Sequence, residues 1–199
     1  MSPAENGAAS VAADAARAGR RIRPDDVPEF RLAQLLLLLT ETRDRRPLDV
    51  ERLSITEFMA ANPFLVLQPN DASRRRLRNA GFNEHSLTYA SPGQRFATRR
   101  ERVMHDLARL VSLGLARVEV NDGRRTLSIT ERGANVAEQM TSVYADAYRL
   151  SVSTIAPKIA ALNDSALRRS LADWLRADPL LFDLLDTARL PDLPARRPS

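Results

Sequence analysis

The stretch LVSLGLARVEVNDGRRTLSITERG, residues 110–133, decides the fold. Two apolar-polar alternating runs flank Asp122-Gly123, a pair suited to a two-residue type I′ turn because both central positions need positive φ. That turn pairs Asn121 with Arg124. It also sets Val118 opposite Leu127 and Ala116 opposite Ile129 on one face, with Arg117–Ser128 and Glu119–Thr126 on the other. A slip of one residue would mix the two faces, so the sequence supports its own turn.

Upstream, Gln94 to Leu113 reads as the clearest helix. Phe96, Val103, Leu107 and Leu110 recur at helical spacing, Met104 and Val111 widen the stripe, and Gly114 follows as a C-cap. Downstream, Thr130 is placed to cap a helix carrying Val136, Met140, Tyr144 and Tyr148 along one side, which Pro157 kinks or ends. Toward the N-terminus, Pro28 starts a helix reaching about Arg43, with Phe30, Leu32, Leu35, Leu36 and Leu39 inward. A second helix covers Val50 to Asn62 before Pro63, with Leu53, Phe58 and Met59 inward. A short helix through Arg74–Arg78, a turn at Gly81 and a loop ending in Ser91-Pro92-Gly93 fill the next segment, the hardest to read. Two more helices are expected, one over Ser165–Arg176 and one with Asp178 as N-cap and Pro179 first. The chain therefore divides into a tail (1–27), a central domain (28–135), a C-terminal helical assembly region (136–190) and a frayed end (191–199).

Composition narrows the function classes. Hydrophobic residues make up 44% of 199, enough for a real core, but aromatics are only 5%, so that core is aliphatic. There is no cysteine, which excludes disulfides, thiolate zinc sites and thiol catalysis. The longest apolar run, Leu35–Leu39, is far too short for a bilayer span, and the N-terminus lacks a secretory signal pattern, so a cytoplasmic protein is expected. Net charge is +5, which permits nucleic-acid binding without demanding it. Lys158 is the sole lysine, and such arginine bias reads most simply as genome composition.

Helix, helix, long helix, glycine, hairpin, helix is the winged helix-turn-helix order, so the fold class expected is mainly α with a small two-stranded wing and C-terminal helices. Leu110-Val111-Ser112-Leu113-Gly114-Leu115, Asn121-Asp122-Gly123-Arg124 and Leu127-Ser128-Ile129-Thr130-Glu131-Arg132-Gly133 resemble MarR- and PadR-type regulators over about 40 residues. Glu57-Phe58-Met59-Ala60-Ala61-Asn62-Pro63-Phe64, Gln94-Arg95-Phe96-Ala97-Thr98-Arg99-Arg100 and Met104-His105-Asp106-Leu107 resemble the middle component of bacterial ABC-three-component, Lamassu-like, systems. That longer similarity runs from about Phe30 to Ile155. It implies a non-enzymatic accessory subunit that accompanies an SMC/Rad50-like ABC ATPase and a third component in antiviral defence. The shorter one implies a dimeric, DNA-binding transcriptional regulator.

Arg95, Arg99, Arg102 and Arg109 fall along one helix face, with Arg124 and Arg125 at the wing tip. These six are the candidate contacts to double-stranded DNA. Asp106 lies in the same stripe and would neutralise Arg102 or Arg109 instead, so DNA contact, partner docking and a plain solvated face all stay open. Arg74–Arg78 is denser but lacks interleaved aromatics, and a solvated face explains it as well as a phosphate track does. Tyr144, Tyr148, Trp174, Leu181 and Leu185 are the candidate partner-binding or dimerisation residues, with core packing as the simpler alternative for the tyrosines. His85 and His105 stand outside any metal-ligand spacing, and no phosphate-cradling glycine loop or nucleophile elbow is present. No catalytic residue, metal or cofactor is expected.

Overall fold

The structure, a computed structural model, describes residues 24–45, 48–84, 91–121 and 124–176. Its centre is α1, Pro28–Glu41, in which Pro28 occupies the first turn and Leu35 to Leu39 are all buried. A helix apolar on every side belongs inside the molecule. The polar residues α1 carries inward, Arg31 and Gln34, each find a charged or polar partner, described below.

After α1, Leu48–Asp49 forms a short strand, β1, that leads directly into α2, Val50–Ala61. Asp49 belongs to both: its Oδ1 accepts the Arg52 backbone N–H at 2.8 Å and caps α2. Pro63 follows the helix and opens a single 3-10 turn. Helix α3, Ala72–Asn79, ends on Gly81 at φ +98, and helix α4, Pro92–Ser112, ends on Gly114 at φ +68. Both ends share one hydrogen-bond pattern: the amide beyond the glycine returns to a carbonyl five residues back, Phe82 to Leu77 at 3.1 Å and Leu115 to Leu110 at 2.9 Å. The left-handed glycine makes that closure possible.

The hairpin strands are β2, Ala116–Asn121, and β3, Arg124–Ile129. Their register is the expected one, pair for pair from Ala116↔Ile129 to Asn121↔Arg124, although Asp122 and Gly123 themselves lie outside the described residues. The sheet is three-stranded rather than two-stranded. β1 adds to β3 through Leu48↔Leu127 and Asp49↔Thr126, giving the antiparallel order β1-β3-β2. A two-residue strand fused to a helix start leaves no alternation in the sequence to read.

The helix expected to run unbroken from Thr130 to Pro157 is in fact two: α5, Glu131–Glu138, and α6, Val143–Ala160. Ser142 interrupts it by capping α6, its Oγ accepting the Ala145 N–H at 3.2 Å. The apolar stripe survives the break, since Val136 and Met140 pack on the same core in which Tyr148 is buried. Pro157 lies inside α6 and does not end it at once; the helix continues to Ala160. Helix α7 is Asp164–Arg176. The helix expected from Asp178 lies outside the described residues.

Two apolar clusters organise these elements. One joins α1, α4 and the sheet to Ala145, Tyr148, Val152 and Ala156 of α6. The other joins Ile55, Phe58 and Met59 of α2 to Leu77, Phe96, Ile155, Ile159 and Leu167. Both α2 and α6 contribute to both clusters, so the region after residue 136 completes the core of the preceding one. The division expected at 135/136 therefore does not separate two cores.

Candidate functional site

The arginine stripe of α4 is the natural place to look, and the structure takes it apart. Arg99 is buried at 7% exposure, its Nε 3.0 Å from both carboxylate oxygens of Glu57 and its Nη2 donating to Glu57 and to Gln34 Oε1. Glu57 is itself 1% exposed. This corrects the expectation that Arg99 faces solvent: α2 packs against that side of α4, and a buried carboxylate there needs a cation. Arg95 is half-buried, donating to Asn62 Oδ1 at 3.0 Å with its guanidinium 5.9 Å from the Phe58 ring centroid. Arg102 and Arg109 stay exposed near acids of the N-terminal segment, 3.6 Å from Asp26 and 3.9 Å from Glu29. Asp106 pairs with neither. It turns inward to Arg31, which donates from Nε at 2.7 Å and from Nη2 at 3.1 Å, so α4 is tied to α1 and α2 by two buried ion pairs.

The outward face of α4 is mixed: Arg100, Glu101, Arg102, His105 and Arg109 are exposed, and a few small or apolar residues lie among them. Met104 is 56% exposed and Val111 36%, and Ala97 and Ala108 are exposed beside them. These two large residues were expected to widen the inward stripe; they widen the outer face instead. The theme continues past Gly114 with Leu113 and, on the edge strand β2, Val118 and Val120, the last 71% exposed. Val118 shares a sheet face with buried Leu127, but the core stops short of it. These apolar residues stay uncovered over one helix and an adjoining edge strand.

The hairpin arginines divide. Arg124 donates to Asp164 Oδ2 at 3.0 Å and to Asp49 Oδ2 at 3.4 Å, which holds its guanidinium against the base of the sheet and raises its pKa, the Asp164 hydrogen bond being the chief cause. Arg125 is exposed and makes no ion pair among the described residues. On α3, Arg74 donates to Leu67 O at 2.7 Å and lies 4.9 Å from the Phe64 ring centroid, and Glu84 draws both Arg74 and Arg78. Arg75 and Arg76 remain exposed.

The expected partner-binding residues also sort by burial. Tyr148 is fully buried, its hydroxyl donating toward the Glu57 carbonyl at 3.5 Å, so it belongs to the core and cannot meet a partner. Tyr144 is partly exposed, accepts from Gln34 Nε2, stacks 6.1 Å from Tyr148 and lies tilted 4.9 Å from Phe30. Beside it Val143 is open to solvent. Trp174 is half-buried against the second cluster, and Leu181 and Leu185 lie outside the described residues.

His105 is exposed while Asp106 points inward, so that adjacent pair is split across the helix; His85 lies outside the described residues. Among the described residues no three His, Asp or Glu side chains gather as a metal site, and no helix is long and apolar enough to cross a membrane. Residues that sequence reading passed over are Arg52, Asp164 and Arg168, which meet the hairpin around one groove. Arg52 and Asp164 alone lie 112 residues apart, and no local pattern signals their meeting. Comparison of the chain with protein-family models, with curated proteins and with solved structures gives no match.

Proposed function

We propose that this chain is a non-enzymatic winged-helix docking subunit of a larger ATP-driven assembly. The β1-β3-β2 order, with α1, α2 and α4 around it, supports the winged-helix part of that reading. The observation that carries the docking part is the outer face of α4: the helix that would read DNA in a regulator offers Met104, Ala108 and Val111 to solvent among Arg100, Arg102 and Arg109, and keeps Arg99 for the core. Winged helices serve protein contacts as well as DNA contacts, so the fold leaves the choice to the surface. The resemblance to middle components of ABC-three-component systems supplies the partner class, an SMC-like ABC ATPase with a third component. Co-expression with the products of neighbouring genes tests it. A complex containing an ATPase, weakened by Met104→Asp with Val111→Asp, is the expected outcome; a chain that elutes alone beside co-expressed neighbours removes the reading.

A second reading, a dimeric regulator of the MarR and PadR kind, is favoured by the exposed Arg125 on the hairpin. It requires preference for a palindromic promoter site, with affinity falling steeply as salt rises. Indifference to DNA sequence argues against it.

A further inference from the structure

A groove of about 430 Å³ opens between the start of α2, the first residues of β3 and the start of α7. Its floor is apolar, formed by Val50, Ile55 and Leu167, and its rim carries one more guanidinium than carboxylate. On that rim the Asp164 carboxylate is spanned by two arginines, one on each oxygen: Arg52 Nη2 donates to Oδ1 at 2.8 Å and Arg124 Nη2 to Oδ2 at 3.0 Å. Those hydrogen bonds, Arg52 first, hold the Asp164 carboxyl below its ordinary 3.8, so it is an anion at neutral pH. Arg52 is further fixed by the carbonyls of Leu162 at 2.8 Å and Ile159 at 3.3 Å, whereas Arg124 is largely exposed. Arg125 and Arg168 complete the cationic rim; both are exposed, and neither makes an ion pair among the described residues. Asp49 and Glu51 are the other acids present.

Planar guanidinium forks that converge on one oxyanion suit a phosphate group, and an apolar floor beside them suits its organic part. We propose that this groove binds a phosphate ester, with the Asp164 carboxylate occupying, between Arg52 and Arg124, the place that phosphate oxygens take, and Arg125 and Arg168 closing on the ligand. The ester is either a nucleic-acid backbone phosphate or a small organic phosphate. The inference does not rest on the docking proposal, because it uses different residues.

The test is fluorescence anisotropy on the full chain with two probes, a labelled random-sequence DNA duplex and a labelled adenine nucleotide, each with inorganic phosphate as competitor. At least one probe binds, and Arg125→Ala with Arg168→Ala weakens it by about tenfold or more. Should the duplex be the ligand, the same pair lowers the slope of log affinity against log salt by about two, one per arginine. Should the nucleotide be the ligand, it alone binds. Asp164→Asn strengthens binding by removing the competing carboxylate, with the emission of Trp174, the sole tryptophan, reporting that α7 stays docked. Binding of neither probe, binding indifferent to the arginine pair, or no gain from Asp164→Asn with unchanged Trp174 emission overturns the proposal. A co-expressed partner still held by the arginine variant leaves the docking reading standing in each of those cases.

Discussion

Replacing Arg99 by methionine keeps the aliphatic length of the side chain and removes only its charged fork. The structure sets the consequence. Glu57, 1% exposed, loses the cation that contacts both its oxygens, and Gln34 Oε1 loses the same donor. Breaking a buried ion pair from one side costs about 3–5 kcal/mol, because the remaining charge stays desolvated. That is a large fraction of the roughly 5–15 kcal/mol that typically separates folded from unfolded chains. At about 2–4 °C per kcal/mol for a chain of this size, the midpoint falls by roughly 6–20 °C. Urea and thermal denaturation followed by circular dichroism at 222 nm measure it. Adding Glu57→Leu to the same chain removes the buried carboxylate as well, so the double variant recovers most of the loss and the cycle shows strong coupling. If Arg99→Met instead stays within about 0.5 kcal/mol of the parent, as a surface change does, Arg99 is not the internal counter-charge. The arginine stripe would then return as a DNA-reading face.

Gly133→Ala strikes backbone: the new Cβ would run into the Leu115 carbonyl oxygen, with Leu115 C at 2.9 Å and Ile129 Cγ1 at 3.0 Å. A cost near about 3 kcal/mol, the upper end for overpacking, is expected, and a melt indistinguishable from the parent would refute that close approach. Thr130→Ala deletes an N-cap that accepts from Gly133 N at 3.0 Å and donates to Gly114 O at 2.8 Å, so urea titration shows a loss of about 1 kcal/mol; no loss contradicts the cap. The Asp71 carboxyl is held below 3.8, first by the hydrogen bond from Lys158 and then by the Ser73 amide. A depressed carboxylate favours the folded chain above its unfolded pKa and loses that contribution as pH falls through the folded one. Asp71→Asn is therefore less stable than the parent at neutral pH, and the two curves converge as pH falls through the folded carboxyl's lowered pKa. A gap that is constant with pH rules the pairing out.

What could be read from the residues was whatever repeats locally. The hairpin register followed from Asp122-Gly123 and two alternating runs, and each pair in it stands as expected. The glycines at 81 and 114 announced helix ends because no other residue takes positive φ so freely. Gly133 supplies a physical reason for the closing motif of the hairpin: α5 starts so close to the Leu115 carbonyl that a side chain has no room. What escaped depends on partners distant in sequence. Arg99 and Arg102 look alike on α4, and only the approach of Glu57 from α2 sends one inside. Asp106 reads as a neighbour of arginines on its own helix, yet it answers Arg31, 75 residues away. Tyr144 and Tyr148 share a helix face, but burial separates them: one reaches solvent and the other does not. The start of α4 at Pro92 reads as loop from the sequence, because Ser91-Pro92-Gly93 favours turns as strongly as it suits a cap, and the Gln94 amide on Ser91 Oγ decides for the helix.

The most direct test of the docking account is size-exclusion chromatography with mass spectrometry of the chain co-expressed with its neighbouring gene products, the parent set beside Met104→Asp with Val111→Asp. Both positions are already open to solvent, so the substitutions leave the fold's midpoint within about 0.5 kcal/mol while adding charge to the outer face of α4. The parent is predicted to elute in a complex with an ATPase and the variant to elute without it. A parent that elutes as a free monomer or dimer, or a variant that holds the complex unchanged, contradicts the account.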